Sequence, residues 1–161
     1  MKLTSQEEYG LRCLLQIARR PEEISTIKEI ASREGLTPTH VAKLLRVMHK
    51  AGLVTSIRGR KGGFQLGRPA DQIQVSAVLG ALGGRLYGEG FCKSHRGRKR
   101  ICVHDTDCSI RSLWVTIDSL VQDALSRMRL KDLLRTEKQM FTWGSSNFQE
   151  LSVGKTASLT V

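Results

Sequence analysis

This chain of 161 residues is poor in aromatics: two Trp, two Tyr and four Phe leave few rings on which single-stranded bases could stack. No unbroken apolar run reaches the length that crosses a bilayer, so no membrane partner is expected. The opening stretch MKLTSQEEYG lacks the apolar core of a secretory signal, and the expected location is therefore the cytoplasm. No nucleophile–base set, Gly-rich phosphate loop or carboxylate pair stands out, which argues against an enzyme. No internal repeat is visible. Acidic residues are also in short supply: 15 Asp and Glu face 26 Lys and Arg, leaving a net charge of +11. That excess favours a polyanionic partner, with nucleic acid first. Apolar residues make up 40% of the chain, enough to bury one compact domain, or a small domain plus an oligomerisation element.

The apolar spacing predicts a helix over 4–20, with Leu11, Leu14, Leu15 and Ala18 on one face, Thr4 as cap and Pro21 as terminator. Cys13 lies inside it with no nearby Cys or His, and reads as core filler. A second helix is expected over 27–34. Thr26 and Glu29 have capping-box spacing, Ile27, Ile30 and Ala31 share a face, and Gly35 stops it. A third follows at once, capped by Thr37 with Pro38 at its first position; Val41, Leu44, Leu45 and Met48 repeat at helical spacing.

Two short helices joined by a Gly-containing turn form a helix-turn-helix. The polar face of the second carries Thr37, Thr39, His40, Lys43, Arg46 and Lys50, the small hydroxyl and basic side chains that suit a major-groove reader. The residues from Leu53 to Leu66 then alternate around the Gly-rich segment 59–63, as in a β-hairpin. Its tip bears Arg58, Arg60 and Lys61, which in a wing would reach phosphates or the minor groove of double-stranded DNA. The expected fold is mainly α with a small β-hairpin wing: a winged helix-turn-helix followed by a long C-terminal dimerisation helix.

A short helix is predicted over 75–82, and residues 86–109 lose all periodicity. A long helix follows, roughly 109–130. Leu113, Ile117, Leu120, Ala124 and Met128 form one apolar stripe, widened by Trp114, Val121 and Leu125. That breadth exceeds what a small wing domain covers, so the stripe reads as a homodimer interface made by Leu113, Ile117, Leu120, Val121, Ala124 and Met128. The expected division is a DNA-binding domain at 1–70, a short helix and cysteine-rich loop at 71–109, a dimerisation helix at 110–135 and a disordered tail at 136–161.

The aperiodic loop holds Cys92, Cys102 and Cys108, spaced C-x9-C-x5-C. Three thiolates in one loop point to a metal or redox role. Arg96, Arg98, Lys99 and Arg100 would favour thiolates and offset the charge of a thiolate-bound centre. An iron–sulfur cluster, 2Fe–2S or 4Fe–4S, is one reading, although such clusters commonly take four cysteines. A Cys3His zinc site completed by His95 or His104 is another, and would make the chain a zinc-stabilised nucleic-acid-binding module without a sensing role. A metal-free thiol switch is the third.

These features in this order resemble the family of iron–sulfur and nitric-oxide-responsive repressors typified by IscR and NsrR. The resemblance covers about residues 1–135. It is carried by the opening Met1, Lys2, Leu3 and Thr4; by Ala51, Gly52, Leu53 and Val54; by Arg58 and Gly59; by Gly62, Gly63, Phe64, Leu66, Arg68 and Pro69; and by Cys108 through Trp114. It implies a homodimeric regulator on a partly palindromic operator, whose cluster state sets DNA affinity, with nitric oxide among the signals. Two departures stand out. Nine residues, mostly basic, separate Cys92 from Cys102, more than is usual in the family. Arg111 stands where the IscR branch has a histidine ligand. In the NsrR-like branch an acidic residue of the other subunit takes that role, and Glu8 occupies its position; Glu7, His95, His104, Asp105 and Asp107 are the rivals.

Overall fold

The computed structural model describes residues 4–88, 90–96, 102, 104 and 106–153. Helix α1 spans Ser5–Ala18. Thr4 and Glu7 form a capping box at its start: the Thr4 hydroxyl accepts from Glu7 N–H, and Glu7 Oε2 accepts from Thr4 N–H at 2.7 Å. Its core face is Gly10, Cys13, Leu14, Ile17 and Ala18, while Leu11 and Leu15 sit at the margin of the core. The true face is thus rotated from the one read in sequence, because Cys13 and Ile17 outrank Leu11 and Leu15 in burial. Gly10 permits a close approach: a Cβ there would displace the Leu82 side chain.

Helices α2, Ile27–Glu34, and α3, Pro38–Lys50, follow the predicted bounds. Thr26 and Glu29 cap α2 reciprocally, and Gly35 ends it at φ 66°, a left-handed conformation that costs glycine nothing. Ile30, Val41, Leu45 and Met48 pack with α1 into one core. Strands β1, Val54–Ile57, and β2, Gly63–Leu66, pair antiparallel with Val54 opposite Leu66 and Ile57 opposite Gly63. Ser25 adds a bridge on the far side of β2: its N–H donates to Phe64 O and its carbonyl accepts from Phe64 N, both at 2.9 Å. This contact stitches the wing to the chain entering α2, and no local pattern announces it.

Helix α4, Val75–Leu82, docks its C-terminal end on α1, where Gln6 donates to Leu82 O and Glu7 lies against Gly83. A one-turn helix α5, Phe91–Ser94, interrupts the expected aperiodic loop. Helix α6 runs Ser109–Arg127, shorter than expected. It ends because the next residues are captured by the body: Val75 N–H donates to Met128 O at 3.0 Å, Leu130 N–H donates to Ile73 O at 2.8 Å, and Leu130 is fully buried. Met128 therefore lies outside the helix and its stripe, and Leu130–Leu134 is a 3-10 turn rather than more of a dimerisation helix.

The tail expected to be disordered from 136 is instead helix α7, Glu137–Val153; residues 154–161 lie outside the described residues. Thr136 and Gln139 cap it, each side chain accepting from the other's N–H. The small polar residues that suggested disorder satisfy themselves along the helix, with Thr142, Ser145, Ser146 and Asn147 each donating to a carbonyl four residues back.

Candidate functional site

The first candidate site is the basic surface made by α3 and the wing. Burying Val41, Leu44, Leu45 and Met48 forces the opposite face of α3 outward. Thr39, Lys43, Arg46 and Lys50 are exposed there and, at spacings of four, three and four residues, share one line along the helix. Thr37 is exposed too, but its hydroxyl caps the helix by accepting from His40 N–H at 3.3 Å. His40 is half-buried and meets the Tyr9 ring edge-on at 5.6 Å, so it packs α3 on α1 as much as it faces outward. Arg58, Arg60 and Lys61 are exposed at the tip of the hairpin, in the tight turn closed by Gly62 N–H donating to Gly59 O. Cations on a helix and on an adjacent wing are what a polyanionic duplex would meet.

The second site is built around the cysteines. Cys13 is fully buried in the core, where burial pushes its thiol up to about 11, so it remains a protonated filler. Cys92, Cys102 and Cys108 are half-buried, and together with Tyr87, Phe91, His95, His104, Arg111 and Trp114 they line one cavity of about 190 Å³. Cys108 is the cap of α6, its sulfur accepting from Arg111 N–H at 3.3 Å. Cys92 lies on α5, 3.1 Å from the Tyr87 hydroxyl. The Cys92 sulfur also hydrogen-bonds the Arg111 guanidinium, and this contact raises the pKa of Arg111 above its ordinary value. His95 is stacked on Phe91 at 4.0 Å with Nδ1 held by Phe91 O at 2.8 Å, which leaves Nε2 as its only possible donor atom to a metal.

Among the described residues no three His, Cys, Asp or Glu side chains are gathered tightly enough to clasp a single ion. The fit to a metal centre lies in the donor chemistry: three thiols and two imidazoles line one cavity, with the Arg111 guanidinium against Cys92 to offset thiolate charge. Glu8 is exposed on α1 and is not part of the cavity lining, so this chain's own fold does not deliver it there. Arg96 is exposed, while Arg98, Lys99, Arg100 and Asp105 lie outside the described residues.

One buried polar contact beside this site escaped sequence reasoning. Asp118 on α6, only 2% exposed, accepts from Arg85 Nε at 2.9 Å and from Tyr87 N–H at 3.2 Å. An acid one position from the apolar Ile117 offered a hint; its partners, more than thirty residues away, did not. The long-helix stripe is otherwise left uncovered. Ile110, Leu113 and Leu120 are more than half exposed, while Ile117 and Ala124 of the same stripe are half-buried. Val121, also of the expected set, is half-buried and lines a small cavity with Leu79, Gly83 and Leu125. Among the described residues no helix is long and apolar enough to cross a membrane.

Comparison with known proteins places this geometry. Residues 3–136 match the Rrf2 family, described as iron-dependent transcriptional regulators. The chain is 35% identical to the protein Rrf2 of Nitratidesulfovibrio vulgaris over 136 residues, which span 84% of this chain and 88% of that one. Its fold is similar to that of CymR, the global cysteine regulator of B. subtilis, with a TM-score of 0.66 and 27% identity over 83% of this chain and 96% of the other. It is likewise similar to T. potens IscR, with a TM-score of 0.62 and 27% identity, covering 83% of this chain and 86% of that one. With a winged helix-turn-helix, an exposed basic face and a family match over most of its length, this chain belongs to the Rrf2 family of DNA-binding transcriptional regulators and is not an enzyme.

Proposed function

We propose that the chain works as a homodimeric repressor on a partly palindromic duplex operator, with its affinity set by an iron–sulfur cluster held by Cys92, Cys102 and Cys108. The observation that carries this reading is the shared cavity: three cysteines separated by up to sixteen positions line it at the start of α6. When bound, the cluster supplies a redox- and nitric-oxide-reactive centre. The chain's own residues do the rest. Thr39, Lys43, Arg46 and Lys50 read or grip the major groove, and Arg58, Arg60 and Lys61 hold phosphate or the minor groove. Leu113, Ile117, Leu120 and Ala124 join the two copies along α6.

The fourth ligand is assigned to Glu8 of the second copy. Arg111 cannot serve, since guanidinium offers no free lone pair. A carboxylate from α1 would strut one copy's sensing loop against the other's reading head, so losing it would alter the spacing of the two heads. A weak oxygen ligand is also the natural point of attack for nitric oxide.

The test is anaerobic purification followed by iron, sulfide and zinc analysis with an absorption spectrum. Brown protein holding iron and sulfide supports the reading. Colourless protein with stoichiometric zinc, or with three free thiols and no metal, overturns it. The latter outcome would favour a thiol sensor, closer to the cysteine-regulator role of CymR.

A further inference from the structure

The cysteine site is joined to α6 by a polar brace that runs through Tyr87. Asp118 is withdrawn to 2% exposure on a helix whose outer face is left open, and a carboxylate is costly to bury without partners. Its hydrogen-bonding partners come from one short segment. Arg85 donates through Nε at 2.9 Å and through Nη2, and Tyr87 donates its backbone N–H at 3.2 Å. Arg85 itself is 57% exposed, so it is not buried for its own sake. The segment is also fixed upstream, where Gln6 donates to Leu82 O and Glu7 rests on Gly83. Downstream, the Tyr87 ring packs on Phe91 at 4.9 Å, and its hydroxyl ends 3.1 Å from Cys92 Sγ. Backbone anchor and ring contact together hold that hydroxyl toward Cys92.

Resting on the cluster reading above, we infer that Tyr87 donates a hydrogen bond that tunes the sulfur centre at Cys92, and that Asp118 is the positioning residue that aims it. A donor to a ligating sulfur stabilises the more electron-rich, reduced state and raises the reduction potential. The brace also ties the state of Cys92 to the helix proposed to join the copies.

The experiment is a double-mutant cycle on the full chain, reconstituted anaerobically with ferrous iron and sulfide. Tyr87→Phe deletes only the hydroxyl; Asp118→Leu removes the acceptor while keeping the branched shape; neither residue is a proposed ligand. Tyr87→Phe is expected to move the midpoint potential negative and alter the visible spectrum. Asp118→Leu should move it in the same direction although the hydroxyl remains, and the double variant should show no larger shift than Tyr87→Phe. An unchanged potential in Tyr87→Phe, or fully additive shifts, overturns the inference. Should Asp118→Leu fail to fold, Asp118→Ala takes its place, since the exposed Arg85 can hydrate. If the wild type holds no iron and sulfide, the cluster reading and the tuning of a cluster fall together. Amide exchange on the metal-free chain then decides the anchoring: Asp118→Leu is expected to speed exchange over 85–92 about tenfold, and unchanged exchange overturns it.

Discussion

Leu120→Glu tests the α6 interface most directly. Leu120 is 55% exposed in the single chain, close to Leu113 at 53% and Ile110 at 57%, so the substitution removes little from the monomer's core. Fully burying a leucine is worth about 1.5–3 kcal/mol, so covering the remaining half contributes about 1 kcal/mol per copy and about 2 kcal/mol per symmetric dimer. An unpaired carboxylate placed in the same seam adds a desolvation penalty of at least about 1 kcal/mol per copy. Together these weaken association by about 4 kcal/mol, or about a thousandfold in Kd. Sedimentation equilibrium across a concentration series reads the dimer constant directly, and thermal unfolding checks that the monomer is intact. Operator binding should fall with dimerisation, because two reading heads held together bind a palindrome far better than one. Ile117→Glu is expected to act in the same direction, while Ser119→Glu, on the far side of the helix from the stripe, should leave association unchanged. A Leu120→Glu chain that stays dimeric at wild-type concentrations and binds its operator normally would refute the reasoning.

Arg60→Ala should weaken operator and non-operator DNA alike and flatten the plot of log K against log salt by about 0.9 per lost phosphate contact, measured by fluorescence anisotropy; an unchanged slope means that the tip points away from DNA. Thr39→Ala or Lys43→Ala should instead change base preference in a binding-site selection. Single Cys92→Ala, Cys102→Ala and Cys108→Ala variants are each expected to lose iron and visible absorbance. Glu8→Ala should shift the spectrum while His95→Ala and His104→Ala leave it intact, and the reverse pattern would make the cluster a closed local loop. Iodoacetamide on the folded, metal-free chain should label Cys92, Cys102 and Cys108 but spare Cys13, whose thiol at about 11 stays protonated at neutral pH; mass spectrometry checks this. Asp132 is buried, which opposes ionisation, yet Arg135 and the Arg129 N–H together hold its carboxyl below the usual 3.8. A folded-state value lowered in this way contributes stability above 3.8 that is lost as pH falls through the folded value. Asp132→Asn should therefore flatten the decline of Tm below about pH 4.

Much of the fold is legible locally because it is set by short-range physics. Thr26, Glu29, Gly35, Thr37 and Pro38 mark helix ends through hydrogen bonds and dihedral preferences that span three or four residues, and α2 and α3 have the bounds those residues imply. The hairpin follows from alternation around Gly59, Gly62 and Gly63, and the basic face of α3 from the burial of Val41, Leu45 and Met48 on its other side. The three cysteines announce a sulfur site by composition alone. Tertiary structure decided whatever depends on a distant partner. Met128 leaves α6 because Val75 claims its carbonyl and Ile73 the N–H of Leu130, and Val121 is half-buried beside Leu79 of α4. Helix α7 is a local element instead, capped by Thr136 and Gln139, but hidden in a composition that reads as loop. The Ser25 bridge and the Asp118 brace join positions more than thirty residues apart. No periodicity encodes such pairings, because they arise only when packing brings the two segments together and burial makes an unpartnered polar group too costly to keep.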